Sequence, residues 1–402
     1  MKKLNSEKIF LILAFLGIYL LSTGVSFAAF NFFRLKTPLE KAGTGIVTEE
    51  ELLIEVSGPT KDECPLTGKM YTEAEKERWS GKRPLFVMVE NHEEARPQSG
   101  LSKSDIVYEA VAEGGITRFG IVYLCDTIAR ETIIGPVRSA RTYFLDWASE
   151  YGESPLYAHV GGAHCDPQTG EGCLNTGKAD ALGQIADYGW EGENDLNQFS
   201  IGYPTFWRDY ERIGHTVATE HTMYSTTERL WSSGQDRGWS NLNPEGEDWQ
   251  KSFVSWSFKD DTSDAERGGV NKIEFSFWQE YGDYTVTWDY DKVNNEYKRS
   301  NGGEAHLDLN NNQQLTAKNV VIQFSKESSA NDGYPGNIHL LYGTIGEGKA
   351  LVFQDGQAIK AKWSKASRKG RTEFTTESGK EIKFVRGRIW IEVLPQGNEA
   401  KY

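Results

Sequence analysis

The sequence predicts an α+β protein, with a mixed α/β N-terminal domain followed by a mainly antiparallel, all-β C-terminal domain. Three observations lead there. Between residues 61 and 234, short apolar runs alternate with amphipathic helical patterns. From 269 to 397 the pattern becomes a series of short alternating segments separated by turn residues. The stretch between them, 235–268, is rich in Ser, Asp, Gly and Asn, carries scattered tryptophans without a sustained period, and reads as a linker.

In chain order, residues 1–8 form a lysine-bearing cytoplasmic N-region ahead of "IFLILAFLGIYLLSTGVSFAAF", residues 9–30, a run of 22 residues without a charge. At about 1.5 Å per residue such a helix spans a hydrocarbon core of about 30 Å. A single-pass signal-anchor at the cell membrane is expected, with the bulk of the chain outside. Ser26-Phe27-Ala28 also satisfies the small-x-small rule for signal peptidase, so a cleaved, secreted product stays open. Residues 31–60 mix Gly, Pro and Thr with a glutamate run and read as a stalk.

The first domain opens near "CPLTGKMY". "RPLFVMVEN" is an apolar run of strand length. "DIVYEAVAE" and "ITRFGIVYLCD" flank Gly114-Gly115, a two-residue hairpin signal. "RSARTYFLDWASEY" puts Ala140, Tyr143, Phe144, Trp147 and Tyr151 on one helical face. "PLYAHVGG" is a further strand and "KADALGQIADYG" a further helix, while Ser225 with Glu228 suggests a capping box for a third. The β domain follows as "KIEFSFW", "YTVTWDY", "EYKRS", "NVVIQFS", "IHLLYG", "ALVFQDG", "QAIKAKWSK", "RTEFTT", "EIKFVRG" and "RIWIEVLP", with no helix expected.

A formal charge of -14 and the lack of a Lys/Arg cluster exclude a nucleic-acid partner. Outside the membrane the four cysteines are candidates for oxidation. Cys165 and Cys173 enclose a polar, turn-rich loop suited to a local disulfide; Cys64 and Cys125 pair or stay free, and three pairings are open. No Cys-x-x-Cys pair exists, and His164 beside Cys165 is too little for zinc, so no metal is expected. "GCLNTGKA" approaches a phosphate-binding loop but has Ala179 where a hydroxyl is needed and no preceding strand. "DLNNNQQ" lacks the Gly and Glu of a calcium loop, so no cofactor is expected.

The charged hairpin raises the functional question. With Gly114-Gly115 as the turn, Glu113 pairs with Ile116, Val111 with Arg118 and Glu109 with Gly120, which places Glu109, Glu113 and Arg118 on one face. Glu109 and Glu113 are then about 13 Å apart at roughly 3.3 Å per residue. That exceeds the about 5 to 9.5 Å that separates glycosidase carboxylates. Either a Glu-Arg-Glu bridge or one half of a site remains. In "IGPVRSARTYF", Arg138 and Arg141 flank Ser139 at a helix start and make an anion seat, with the alternative that they answer Asp146 and Glu150. His159 precedes Gly161-Gly162, where backbone can approach a ligand closely, and His221 precedes the capped helix; both also suit a buried structural role.

"RPLFVMVEN", "ARPQSGLSKSDIVYEAVAEGGITRF", "IGPVRSAR", "HVGG" and "EHTMYS" resemble, in order, the N-terminal domain of the YerB-like lipoprotein family, bacterial proteins of unknown function. "LTAKNVVIQ", "GKALVFQDGQAIKAKWSK" and "GRIWIEVLP" resemble that family's C-terminal β domain. The resemblance implies an envelope protein tethered outside the membrane, with no established activity. Two departures stand out: no cysteine precedes Cys64, so the apolar run is expected to anchor by itself, and "AHCDPQTGEGCLNT" is inserted after "HVGG".

The leading expectation is a non-enzymatic envelope module that binds a cell-wall glycan or anionic polymer through Arg96, Arg118, Arg138, Ser139, Arg141, Gly161 and Gly162. The alternative is a wall-polymer hydrolase using Glu109, Glu113, His159 and His221 in acid-base roles. A third reading is a scaffold whose β domain docks another envelope protein by a strand edge.

Overall fold

Apolar runs of strand length assemble the centre of the molecule, as a computed structural model of residues 58–127, 131–152, 154–243 and 246–402 describes it. The expected membrane segment, and the stalk through residue 57, lie outside the described residues. Among the described residues, no helix is long and apolar enough to cross a membrane.

The principal strands are Leu85–Glu90 (β1), Ile106–Glu113 (β2), Ile116–Tyr123 (β3), Leu156–His159 (β4), Asp195–Asn197 (β5), Lys272–Ser276 (β6), Thr285–Asp291 (β7), Glu296–Asn301 (β8), Asn319–Ser325 (β9), Gly346–Gln354 (β10), Gln357–Lys365 (β11), Glu373–Thr376 (β12) and Ile389–Pro395 (β13). The principal helices are Glu73–Ser80 (α1), Thr142–Ala148 (α2), Ala181–Asp187 (α3) and Thr227–Asp236 (α4). Thr226, one residue past the expected Ser225, caps α4 by accepting from Arg229 N. Among the described residues no α-helix follows α4, as the turn-rich sequence there anticipates.

Ten strands form one sheet in the order β12-β11-β10-β9-β13-β2-β3-β1-β4-β5, and β6, β7 and β8 build a smaller antiparallel sheet. Residues 61–234 and 269–397 thus share a sheet. β13, from the C-terminal segment, lies parallel to both β9 and β2. Every residue of β1 is buried, which explains why it reads as continuous apolar sequence instead of alternating. Helix α2 buries Tyr143, Phe144, Leu145 and Trp147. Disulfides join Cys64 to Cys125 and Cys165 to Cys173. The first closes a separation of 61 residues, which on loop-entropy grounds stabilises the fold by about 4 kcal/mol.

The β2-β3 hairpin departs from the expected register. Glu113 does pair with Ile116, but a bulge between Val111 and Glu113 then puts Val111 opposite Thr117, Ala110 opposite Arg118 and Glu109 opposite Phe119. One extra residue in a strand turns everything beyond it to the other face. Glu113 therefore keeps Arg118, with Arg118 Nη2 at 3.0 Å from Oε1, and Glu109 is sent to the opposite side of the sheet. The expected Glu-Arg-Glu bridge forms only in its Glu113 half.

On that opposite side Glu109 enters a sealed polar knot. Its Oε1 accepts from Asn91 Nδ2 at 3.0 Å and Thr117 Oγ1 at 2.6 Å, while Arg299 of β8 donates to Oε2. Glu392 of β13 lies in register with Glu109 and accepts from Trp288 Nε1 at 3.1 Å. Burial, together with the neighbouring Glu109 charge, pushes the Glu392 carboxyl well above the usual range. A single arginine thus stands between two buried carboxyl groups. Trp390, Phe119 and Trp288 surround the Arg299 guanidinium. Breaking a buried pair by removing one partner costs about 3–5 kcal/mol. Arg299→Met is expected to lose that much in a urea unfolding titration, and a loss below about 1 kcal/mol would show that the knot is not a principal support.

Candidate functional site

β1, β2, β4 and β5 run in one direction, so their carboxyl ends, Glu90, Glu113, His159 and Asn197, share one edge of the sheet. Ligands of open α/β sheets bind outside such an edge. The segment carrying Arg138 and Ser139 crosses it between β1 and β4: Arg138 N donates to Met88 O at 2.9 Å, Val160 N to Arg138 O at 3.1 Å and Ala140 N to Gly161 O at 2.9 Å. This crossing brings Arg138, Ser139 and Arg141 against Gly161 and Gly162. A side chain at Gly162 would meet Leu182 at 2.9 Å and Ala140 at 3.2 Å, so glycine lets the two segments approach closely.

Three guanidiniums meet two carboxylates here. Arg118 and Arg141 both bind Glu113, and both are buried. Arg118 Nη1 also donates to Ser139 O at 3.1 Å and Arg141 Nη1 to Ala140 O at 2.7 Å. Burial alone pushes the Glu113 carboxyl up, but the Arg141 and Arg118 charges outweigh it and hold the group well below the usual range. Arg138 pairs through Nε with the buried Glu90. Burial likewise opposes ionisation of Glu90, and the charges of Arg118 and Arg138 overcome it.

His159 is fully buried, with Nδ1 at 2.6 Å from Gly161 O and Nε2 at 2.7 Å from Asp195 Oδ1. Both ring nitrogens are thus engaged in fixing the Gly161 turn to β5. Asn197 Oδ1 supports the same turn by accepting from Gly161 N at 3.4 Å. His221 lies 3.7 Å from Glu90 and 3.9 Å from Glu94, and its ring stacks on His92 at 4.8 Å. Burial, the main cause, pushes its pKa down.

Nine of the residues singled out in the sequence therefore gather at this edge: Glu113, Arg118, Arg138, Ser139, Arg141, His159, Gly161, Gly162 and His221. Two do not. Glu109 is sealed in the polar knot, and Arg96 is spent on Asn91 and on Asp283 O, with its guanidinium over Tyr284. Glu90, His92, Glu94, Asp195 and Asn197 join the edge without having been singled out. For Glu90 a signal existed, since an acid ends an otherwise apolar buried run. Nothing local marks Asp195 or Asn197.

The chain matches known proteins in two stretches. Residues 66–240 match the family described as protein of unknown function DUF3048, N-terminal domain, and residues 273–391 match its C-terminal domain. The chain belongs to the DUF3048 family. YerB of Bacillus subtilis (strain 168), whose name designates it a lipoprotein, is 30% identical over 352 residues, covering 85% of this chain and 88% of YerB. A crystal structure of YerB superposes with a TM-score of 0.62 at 25% identity, covering 85% of this chain and all of that one. DUF3048 carries no described activity, so the chemistry of this edge has to be argued from its own residues.

Away from this edge, a cleft of about 290 Å³ is lined by Lys69, Tyr71, Asp105, Asp126, Arg386 and Arg388 among others. Asp105 Oδ2 accepts from Leu124 N at 2.6 Å and Cys125 N at 2.9 Å, whereas Oδ1 is buried without a partner. Burial and the charge of Asp126 push its pKa up to about 7. A carboxyl raised on folding stabilises the protein fully below its unfolded pKa, about 3.9, and that contribution falls as pH rises through about 7. Between pH 5.5 and 8 the stability of the natural protein relative to Asp105→Asn is expected to drop by about 2 kcal/mol. Chemical denaturation of both proteins at the two pH values measures it.

Proposed function

We propose that the chain is an extracytoplasmic envelope protein whose α/β region binds an anionic or glycan component of the cell wall, without catalysis, at the shared carboxyl edge. The apolar run 9–30 serves in this reading as its single-pass anchor. Two disulfides fit an oxidising compartment, and the lipoprotein name of YerB fits a membrane-surface location.

The observation that carries the reading is Arg138. Its Nε serves Glu90, its side chain is 24% exposed, and among the described residues its Nη1 and Nη2 have no acceptor. A planar pair of donors left open in this way suits bidentate capture of a carboxylate or phosphate. Behind it, Arg118 and Arg141 engage Glu113, so that Glu113 does not compete for Arg138. Phe199, 75% exposed, borders Gly161 and offers a ring face for a sugar.

The hydrolase reading draws less support. Glu109 is sealed, Glu113 is clamped by two arginines, and both nitrogens of His159 are occupied. The scaffold reading has no specific observation in its favour.

Arg138→Lys keeps a charge beside Glu90 and removes the forked donors. Sedimentation with purified wall polymer should show binding weakened about 10-fold or more, the worth of one bidentate charged contact, while the unfolding midpoint stays close to that of the natural protein. Undiminished binding by a folded Arg138→Lys protein, or no binding by the natural one, overturns the reading.

A further inference from the structure

His92, Glu94 and His221 stand beside the arginine-lined edge but take no part in the anion contact. His92 precedes the short 3-10 turn Glu93–Ala95 that follows β1, and His221 ends the turn Thr219–His221 that precedes α4. One donor atom from each of His92, Glu94 and His221 lies within 4.8 Å of the others. A second observation is independent of that grouping. Nδ1 of His221, a residue only 5% exposed, is buried without a hydrogen-bond partner, and among the described residues Nε2 has none either. A buried imidazole with neither nitrogen bonded calls for an explanation.

We infer that His92, Glu94 and His221 form a three-ligand site for a divalent transition-metal ion of the zinc class. Two imidazole nitrogens and one carboxylate oxygen suit zinc, whereas calcium and magnesium prefer oxygen ligands throughout. The surroundings supply the outer support such a site needs. Glu90 Oε2 faces His221 Nδ1 at 3.7 Å, so an N–H there turns towards a carboxylate and leaves the Nε2 lone pair, 3.9 Å from Glu94 Oε2, for the metal. Arg138 in turn fixes Glu90.

Metal bonds of about 2.0–2.2 Å require the three donors to close in by roughly 1 to 1.5 Å. Glu94 is an exposed side chain on a short turn and supplies most of that movement. His92 gives up the 3.2 Å bond by which its Nδ1 caps Glu94 N, or presents its other nitrogen. With three protein ligands, a fourth position is left for water or for an acidic group of a ligand. The inference goes beyond the proposed anion binding, which requires no metal.

The test uses the full chain without a polyhistidine tag, purified in detergent, stripped with a chelator and titrated with zinc chloride by calorimetry. Metal content is counted by mass spectrometry. One equivalent is expected with roughly micromolar affinity or tighter. His92→Ala and His221→Ala should each weaken binding about 100-fold or more, as the loss of a direct ligand demands. Glu94→Gln, at an exposed position that leaves the fold intact, should weaken it about 10-fold or more, and Glu90→Gln about 10- to 100-fold through the orientation of His221. The double variant His164→Ala with His215→Ala alters two exposed histidines elsewhere and should bind normally. A tetrahedral cobalt spectrum on substitution, lost in Glu94→Gln, would confirm the ligand set. Absence of stoichiometric zinc from the folded chain, unchanged binding in Glu94→Gln, or loss of binding in the control variant overturns the inference.

Discussion

The burial of Arg299 between Glu109 and Glu392 is the constraint on which the rest of the molecule depends. The three residues come from β8, β2 and β13, and so from distant parts of the chain. Without Glu109, Arg299 would be an uncompensated charge in a dry interior, and breaking such a buried pair is strongly destabilising. Together they need β13 to lie beside β2 in register, because only that pairing sets Glu392 next to Glu109. The same pairing turns two stretches of sheet into one, and it holds the carboxyl ends of β1, β2, β4 and β5 in a fixed row.

Much of this architecture was legible in the sequence because it rests on short-range rules. Apolar runs such as Leu85–Glu90 and the helical face of Tyr143, Phe144 and Trp147 fall where their periodicity puts them. What escaped is non-local. The β13-β2 pairing joins residues more than 280 apart, and no local pattern encodes which strand of one segment will neighbour which strand of the other. The bulge at Ala112 escaped for a different reason, since an alanine in an apolar run carries no turn signal, yet it decided the fate of Glu109. In the site, Arg138 and Arg141 were visible because two cations flank a serine ahead of a helix. His92 and Glu94 were not, because their partner His221 lies 129 residues further on and arrives only through the fold.

The edge also shows how an acidic chain can hold three arginines against carboxylates of its own. With a net charge of -14, long-range attraction for a polyanion is absent. Any selectivity for anions at Arg138 therefore acts at contact distance. Glu113 holds Arg118 and Arg141 in place, and Glu90 does the same for one side of Arg138. Those carboxylates reduce the charge of the site while fixing its geometry, which trades strength of attraction for definition of shape.

The Cys64–Cys125 bridge also determines how the molecule bears load. A pull on the chain ahead of Cys64 crosses the sulfur bridge to Cys125 and enters the sheet just beyond the end of β3. β3 is an interior strand, hydrogen-bonded on one side to β2 and on the other to β1. The bridge gives that pull a covalent route around the backbone it encloses, α1, β1 and β2 among it. Of the residues at the carboxyl edge, Glu90, Glu113 and Arg118 lie inside the loop that this covalent route bypasses.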